Sequence, residues 1–177
     1  MKKLNRYYLL NELKNLIGNW YIPFFGIAFP LLMAQIIIQS VLRDVPETAV
    51  QQVTTTIALS FLQLVPLAVV FLGHASLYSQ EMEKRVPLRM QLFGYSQSTQ
   101  MFSRMISLLL FFTFGLFLNL LVFYLSLNLL APTLQGFLLT LLVYYILGII
   151  LFMLAHGIAN FFRKFGPTYG LGMTLYF

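Results

Sequence analysis

Charge is what this sequence has least of. Only 9% of its 177 residues are Asp, Glu, Lys or Arg, against roughly 25% in a soluble domain. Such a chain cannot clothe a water-facing surface, which excludes a soluble globular enzyme. Cysteine is absent and tryptophan occurs once. The first absence removes disulfides, thiolate metal sites and thiol nucleophiles. Enzyme motifs are missing as well: there is no G-x-x-x-x-G-K-[ST] phosphate loop, no H-E-x-x-H, no G-x-S-x-G and no pair of intramembrane aspartates. The expectation is a chain that is not an enzyme and carries no metal, cofactor or ATP site of its own.

What is there is apolar and aromatic. Hydrophobic residues make up 59%, with 18 Phe and 10 Tyr, and the mean hydropathy is +0.82. The few charges fall in four islands: Lys2, Lys3, Arg6, Glu12 and Lys14; Arg43, Asp44 and Glu47; Glu81, Glu83, Lys84, Arg85, Arg89 and Arg104; Arg163 and Lys164. From Met105 to Phe162 run 58 residues without formal charge. A spanning helix needs about 20 apolar residues, so this stretch holds two, with Ala131-Pro132 as the turn. The predicted fold is all-α, a polytopic membrane helix bundle with spans at about 21–42, 53–77, 105–130 and 133–162. Residues 165–177 are apolar but too few to span. They read as the start of a fifth span, covering 168–177, and the chain as a piece of a longer protein.

The bias of Lys and Arg sets the orientation. With the N-terminus cytoplasmic, 10 of the 11 basic residues lie inside and only Arg43 outside. This asymmetry accounts for the net charge of +6 without a nucleic-acid partner. Residues 1–20 lack a signal-peptide pattern. On a helical wheel Leu9, Leu10, Leu13, Leu16, Ile17 and Trp20 share one face. Asn11, Glu12, Lys14, Asn15, Gly18 and Asn19 lie opposite. That is an amphipathic helix suited to the cytoplasmic interface of the bilayer.

Polar residues inside the spans are few. Gln35, Gln39 and Gln63 are candidates for helix packing through interhelical hydrogen bonds, or for a substrate path. His74 and His156, 82 positions apart, read as interfacial rather than as proton carriers. No ionisable side chain is placed at the central depth of a span, which weakens an ion-coupled carrier. Pro23, Pro30 and Pro66 are expected to kink their helices or loosen their hydrogen-bond ladders. Ala155-x-x-x-Ala159 and Gly166-x-x-x-Gly170 have small-residue packing spacing, and Pro167 opens the last helix.

The loop at 78–104 is longer than a connector requires. It carries Glu81, Glu83, Lys84 and Arg85, then Pro87 starting a short helix, then Gly94 stopping it. In that helix Val86, Met90 and Phe93 share one side, Leu88 and Leu92 another. Apolar side chains on both sides suit a docking element wedged into a partner. A loop helix resting on the membrane surface accounts for the pattern equally well.

An N-terminal amphipathic helix, a hairpin with a small outer loop, the run Glu81-Met-Glu83-Lys84-Arg85, the turn Gly94-Tyr95-Ser96 and Arg104 opening the third span occur in that order. This order resembles the permease subunit of type-2 ABC exporters. The likeness covers the layout of all 177 residues and, in motif, about 81–104. There Lys84-Arg85-Val86-Pro87 replaces the family's second acidic residue and its Gly-Thr step. The resemblance implies that residues 86–93 form a coupling helix contacting an ABC ATPase subunit. The partner-binding residues would be Glu83, Val86, Pro87, Leu88, Arg89, Met90, Leu92 and Phe93, with Glu83 at the family's acidic position. It further implies ATP held by that partner subunit, a second permease copy or homologue, and a lipid bilayer of the bacterial cytoplasmic membrane as the setting. The substrate would be hydrophobic or amphipathic. Two other classes stay open: a non-transporting membrane protein of immunity or scaffold type that binds a cytoplasmic partner through the same loop, and a secondary carrier.

Overall fold

The computed structural model describes residues 6–177. Lys2 and Lys3 of the basic count, and the first residues of the amphipathic helix, lie outside the described residues. Helices follow in the order α1 (Arg6–Gly18), α2 (Tyr21–Val41), α3 (Glu47–Glu83), α4 (Val86–Leu92), α5 (Gln97–Ser126), α6 (Leu134–Phe162) and α7 (Phe165–Tyr176). No strand occurs among the described residues. Four of these helices, α2, α3, α5 and α6, are long and apolar enough to cross a membrane. The chain is an all-α bundle of membrane-spanning helices.

Two spans differ from their sequence-based limits. α3 has 37 residues, about 55 Å of helix against a hydrocarbon core of roughly 30 Å. It runs past both ends of 53–77 and carries Glu81 and Glu83, which the sequence placed in a loop. α5 begins at Gln97 rather than 105 and ends at Ser126 rather than 130. Ser96 supplies the reason at the start: its hydroxyl accepts from the Thr99 N–H at 3.1 Å, an N-cap the hydropathy pattern cannot register. Thr133 caps α6 in the same way through the Gly136 N–H, also at 3.1 Å.

The prolines act through the hydrogen-bond ladder. A π-helical segment, Phe24–Ala28, follows Pro23, and another, Leu67–Gly73, follows Pro66. Pro30 supplies no N–H, so the carbonyls of Phe25 and Gly26 lose the donors that a π or α ladder would place there. Both are met from elsewhere. The Tyr176 hydroxyl of α7 donates to Phe25 O at 2.9 Å, and the Asn119 amide of α5 donates to Gly26 O at 3.3 Å. The two π segments meet at Gly26, where an added Cβ would lie 2.5 Å from Cγ2 of Val69. Val65, Val69, Ile22, Phe112 and Phe152 fill the surrounding core and are wholly buried.

α7 packs along α3; its buried residues are Thr168, Gly172 and Tyr176, the last set against Phe25 and Phe29 of α2. The close approach is at Gly172, where a Cβ would meet Leu72 Cδ1 at 2.8 Å. Gly166 and Gly170 face open space, so their spacing is not a packing motif here. Ala155 and Ala159 are both fully buried.

Candidate functional site

One end of the bundle collects α1, α4, the start of α5 and the α6–α7 turn, and with them most of the charge. α4 begins after Arg85, whose φ of 55° reverses the chain at the end of α3. Pro87 occupies the first turn, where its missing N–H costs no helical bond. The helix stops in a Schellman arrangement: Gly94 N–H donates to Gln91 O at 2.9 Å and Tyr95 N–H to Met90 O at 3.0 Å. Gly94 takes φ 90°, a conformation other residues adopt only with strain. Phe93 is therefore the cap of the helix rather than its last turn.

The partner-binding candidates divide by exposure. Pro87 is buried, and Val86 and Met90 are half-buried. Leu88, Leu92 and Phe93 are exposed by 58%, 83% and 66%. Phe93 thus belongs with Leu88 and Leu92 on the outer side, not with Val86 and Met90. Arg89 is exposed and its guanidinium donates to Lys84 O, closing the turn before the helix. Glu83 is not on α4 at all. It ends α3, and its carboxylate accepts the Phe165 N–H at 3.2 Å, capping α7.

Beneath α4 lies a polar cluster that the sequence did not reveal. Gln100, buried, donates to the carbonyls of Pro87 at 3.3 Å and Tyr95 at 3.1 Å, tying both ends of α4 to α5. One turn on, Arg104 is 6% exposed. It pairs with Glu81 of α3, faces Glu12 of α1 at 3.8 Å and stacks over the Tyr78 ring at 4.7 Å. The Arg104 Nε has no hydrogen-bond partner, so its contact with Glu12 is ionic only. Burial holds the Glu12 carboxyl above the usual carboxylate range, with Arg104 opposing the shift. Burial, aided by the Glu12 charge, pushes the neighbouring Tyr8 hydroxyl up to about 12.

The two histidines join the same cluster. His74 Nε2 and His156 Nδ1 lie 3.3 Å apart. His74 stacks on Phe152 at 4.4 Å and His156 on Tyr78 at 4.7 Å between centroids. His74 is buried and His156 half-buried. A small cavity lined by Tyr78, Pro87, Gln100, Arg104 and His156 joins the base of α4 to these groups. No three His, Asp or Glu side chains gather as metal ligands among the described residues.

The faces of the amphipathic helix are distributed differently from the wheel. α1 lies along α5, with Ser107 donating to Leu9 O at 3.4 Å and Tyr8 stacked on Tyr95 at 5.2 Å. Leu16 is buried and Tyr8, Leu9, Glu12 and Leu13 are half-buried, while Leu10, Ile17 and Trp20 point outward. The apolar face of the wheel is thus divided between the bundle and the surroundings. Glu12, assigned to the polar outer face, turns inward to Arg104.

At the opposite end, Gln35 donates to the Ser126 hydroxyl at 3.0 Å, a hydrogen bond between α2 and α5. Gln39 and Gln63 are exposed. A lateral cleft of about 320 Å³ opens between α3, α5 and α6. Ala58, Leu62, Leu116, Phe123, Phe137 and Tyr144 are among its walls, and no charged residue lines it.

Comparison of the chain with family models, with curated proteins and with solved structures yields no match.

Proposed function

We propose that the chain is the membrane-spanning permease subunit of an ATP-driven exporter, with α4 as the element that docks a separate ATPase. The carrying observation is the tip of α4. Three large apolar side chains, Leu88, Leu92 and Phe93, project outward from a helix of 7 residues. Such anchors are what a partner pocket receives. The helix is fixed by Pro87, Gly94 and Gln100, so a push on its tip reaches α5 as a rigid displacement rather than being lost in a flexible loop. Through Arg104 and Glu81 it reaches α1 and α3 as well. ATP is bound and hydrolysed by the partner; this chain supplies the lever and the membrane pathway. Two such permeases pair, and movement of their spans alternates access. The apolar, uncharged cleft supports a hydrophobic or amphipathic substrate. The setting is the bacterial cytoplasmic membrane with the N-terminus inside.

The test is purification of the tagged chain from its native membrane, with and without Leu88→Ala plus Phe93→Ala. The reading requires a phosphate-loop ATPase to accompany the unaltered chain. Losing one buried interface anchor commonly costs about 2 kcal/mol, so the double variant should lose most of it while inserting normally. An associated protein without nucleotide chemistry would favour the scaffold or immunity class. Unchanged recovery of the ATPase would remove α4 from the interface.

A further inference from the structure

We propose that the cleft between α3, α5 and α6 holds one acyl chain of a membrane lipid. The proposal deepens the permease reading, on which it rests for the bilayer around the cleft; its test requires no ATPase.

The floor of the cleft is core: Leu62, Leu116, Phe123 and Tyr144 are buried. Leu59 and Phe137, which also line it, are exposed, so it opens sideways between helices long and apolar enough to span a membrane. What surrounds such an opening is hydrocarbon. The end wall is the turn from α5 to α6, residues 129–133. That turn is tied down. Gln51 donates to Leu129 O at 3.2 Å, the Leu130 N–H donates to the Thr55 hydroxyl at 3.0 Å, and the Tyr124 hydroxyl donates to Leu130 O at 3.4 Å. The space is therefore built into the fold and is not a gap beneath a loose loop.

The walls have little to offer water. Their polar side chains are Thr55, Tyr124, Thr133, Thr140 and Tyr144. Thr55 and Thr140 donate to carbonyls of their own helices, Gln51 O and Gly136 O, both at 2.8 Å. Tyr144 donates to Leu59 O, and Thr133 is occupied as the cap of α6. A bound water needs about two to four polar partners, and a cavity without them stays dry and accepts apolar guests. No charged residue lines the cleft, so a charged head gains nothing inside it.

The dimensions select a chain. From the turn, the walls run from Tyr124 to Leu116 on α5 and from Gly136 to Tyr144 on α6, about 12 Å of helix rise. One leaflet supplies hydrocarbon to a depth of about 15 Å, half of the roughly 30 Å core. A lipid chain lying along the cleft keeps the direction it has in the leaflet, with its head at the turn and its tail inward. The volume of about 320 Å³ is at the lower end of ligand sites, roughly 300–1,000 Å³, which suits one chain rather than a bulky solute. Left empty, the lining would forfeit its dispersion contacts on that side; a chain from the adjoining leaflet restores them.

The probe is phosphatidylglycerol with a diazirine near the end of one acyl chain, supplied in vesicles holding the full chain. The protein is extracted in detergent, washed free of loosely held lipid and irradiated, and the labelled residues are mapped by mass spectrometry. The expected result is several-fold more label on Leu62, Leu116 and Leu120 than on Leu110 and Ile150, which face outward on α5 and α6. Ala58→Phe fills the cleft from its buried wall and should reduce the label several-fold. Thr140→Trp fills it from an exposed wall position and should do the same where the buried substitution prevents folding. Leu110→Phe should change nothing. Phosphatidylethanolamine carrying the same chain should label equally. Even labelling of inner and outer positions overturns the proposal, as does label that survives both filling variants or that requires one headgroup. The chain has no cysteine, so Leu120→Cys reports on water: its reaction with a water-soluble maleimide would make the cleft an aqueous path and overturn the proposal too. Normal labelling with no ATPase recovered would sink the exporter reading and leave the lipid site standing; an ATPase recovered without labelling would do the reverse.

Discussion

Asn119 donates its side-chain amide to the carbonyl of Gly26, the one that Pro30, four residues on, leaves without a helical donor. Asn119 is fully buried and also bonds Gly115 O at 2.8 Å within its own helix. The proline and the asparagine are thus one device spread over two spans. Asn119→Leu should destabilise the bundle by about 1 kcal/mol, the scale of interhelical hydrogen bonds in membranes. In a Pro30→Ala background the N–H returns and the same substitution should cost less. Thermal unfolding of the four variants in detergent gives the coupling. Equal costs in both backgrounds would separate the two residues.

A second prediction concerns the charges under α4. Arg104 faces Glu81 and Glu12 with its side chain 7% exposed. Arg104→Gln removes the cation that both carboxylates face. Breaking a buried pair from one side costs roughly 3–5 kcal/mol. Glu12→Gln should be nearly neutral or mildly stabilising near neutral pH, because burial already disfavours the Glu12 charge. A larger loss for Glu12→Gln than for Arg104→Gln would contradict this ordering.

The same carboxyl gives a pH dependence with a definite sign. The folded state raises the Glu12 pKa, so the folded chain binds a proton there that the unfolded chain has released. The contribution to stability is fullest below the ordinary carboxylate value. It is lost as pH rises through the folded value and stays flat above. Across that mildly acidic window, the difference in unfolding midpoint between the unaltered chain and Glu12→Gln should shift against the unaltered chain as pH rises. A difference that moves the other way would mean that Arg104, not burial, governs Glu12.

The spans were legible because hydrocarbon imposes long apolar runs that no folding detail can disguise. The limits of α4 were legible too, since Pro87 and Gly94 act locally. The polar cluster was not. Its members come from α1, α3, α5 and α6, and the two histidines are 82 positions apart. A signal existed in the spacing of His74, Tyr78 and Glu81 along one helical face and of Gln100, Arg104 and Ser107 along another. Apolar scoring passes over such stripes. It also misplaced Glu12, because a wheel sorts residues by hydropathy and Arg104, which draws Glu12 inward, is more than ninety residues away.

The contact of the two π segments is steric and can be tested as such. A Cβ on Gly26 would lie 2.5 Å from Val69 Cγ2, closer than side-chain carbons approach. Gly26→Ala should cost about 1–3 kcal/mol, the range for overpacked cores. Val69→Ala removes the obstructing methyl and should recover much of that loss in the double variant, despite its own cavity. If the double variant is less stable than the sum of the single ones, the clash at Gly26 is not with Val69.

The orientation proposed for the bundle follows from 10 of 11 basic residues on one side, and the structure supplies well-placed reporters for it. Glu47 opens α3 in the turn after α2, whereas Lys84 follows its far end. Both residues are exposed. They are separated by about 55 Å of helix, more than the hydrocarbon core of roughly 30 Å. With no native thiol to react, a cysteine at either position is the sole target. Glu47→Cys should be labelled by an impermeant maleimide added to intact cells or spheroplasts. Lys84→Cys should be labelled only after the membrane is opened. The reverse pattern would place α4 outside, where no ATP-hydrolysing subunit could reach it, and the coupling reading would fall with the orientation. Labelling of both positions in intact cells would mean that α3 does not cross the bilayer.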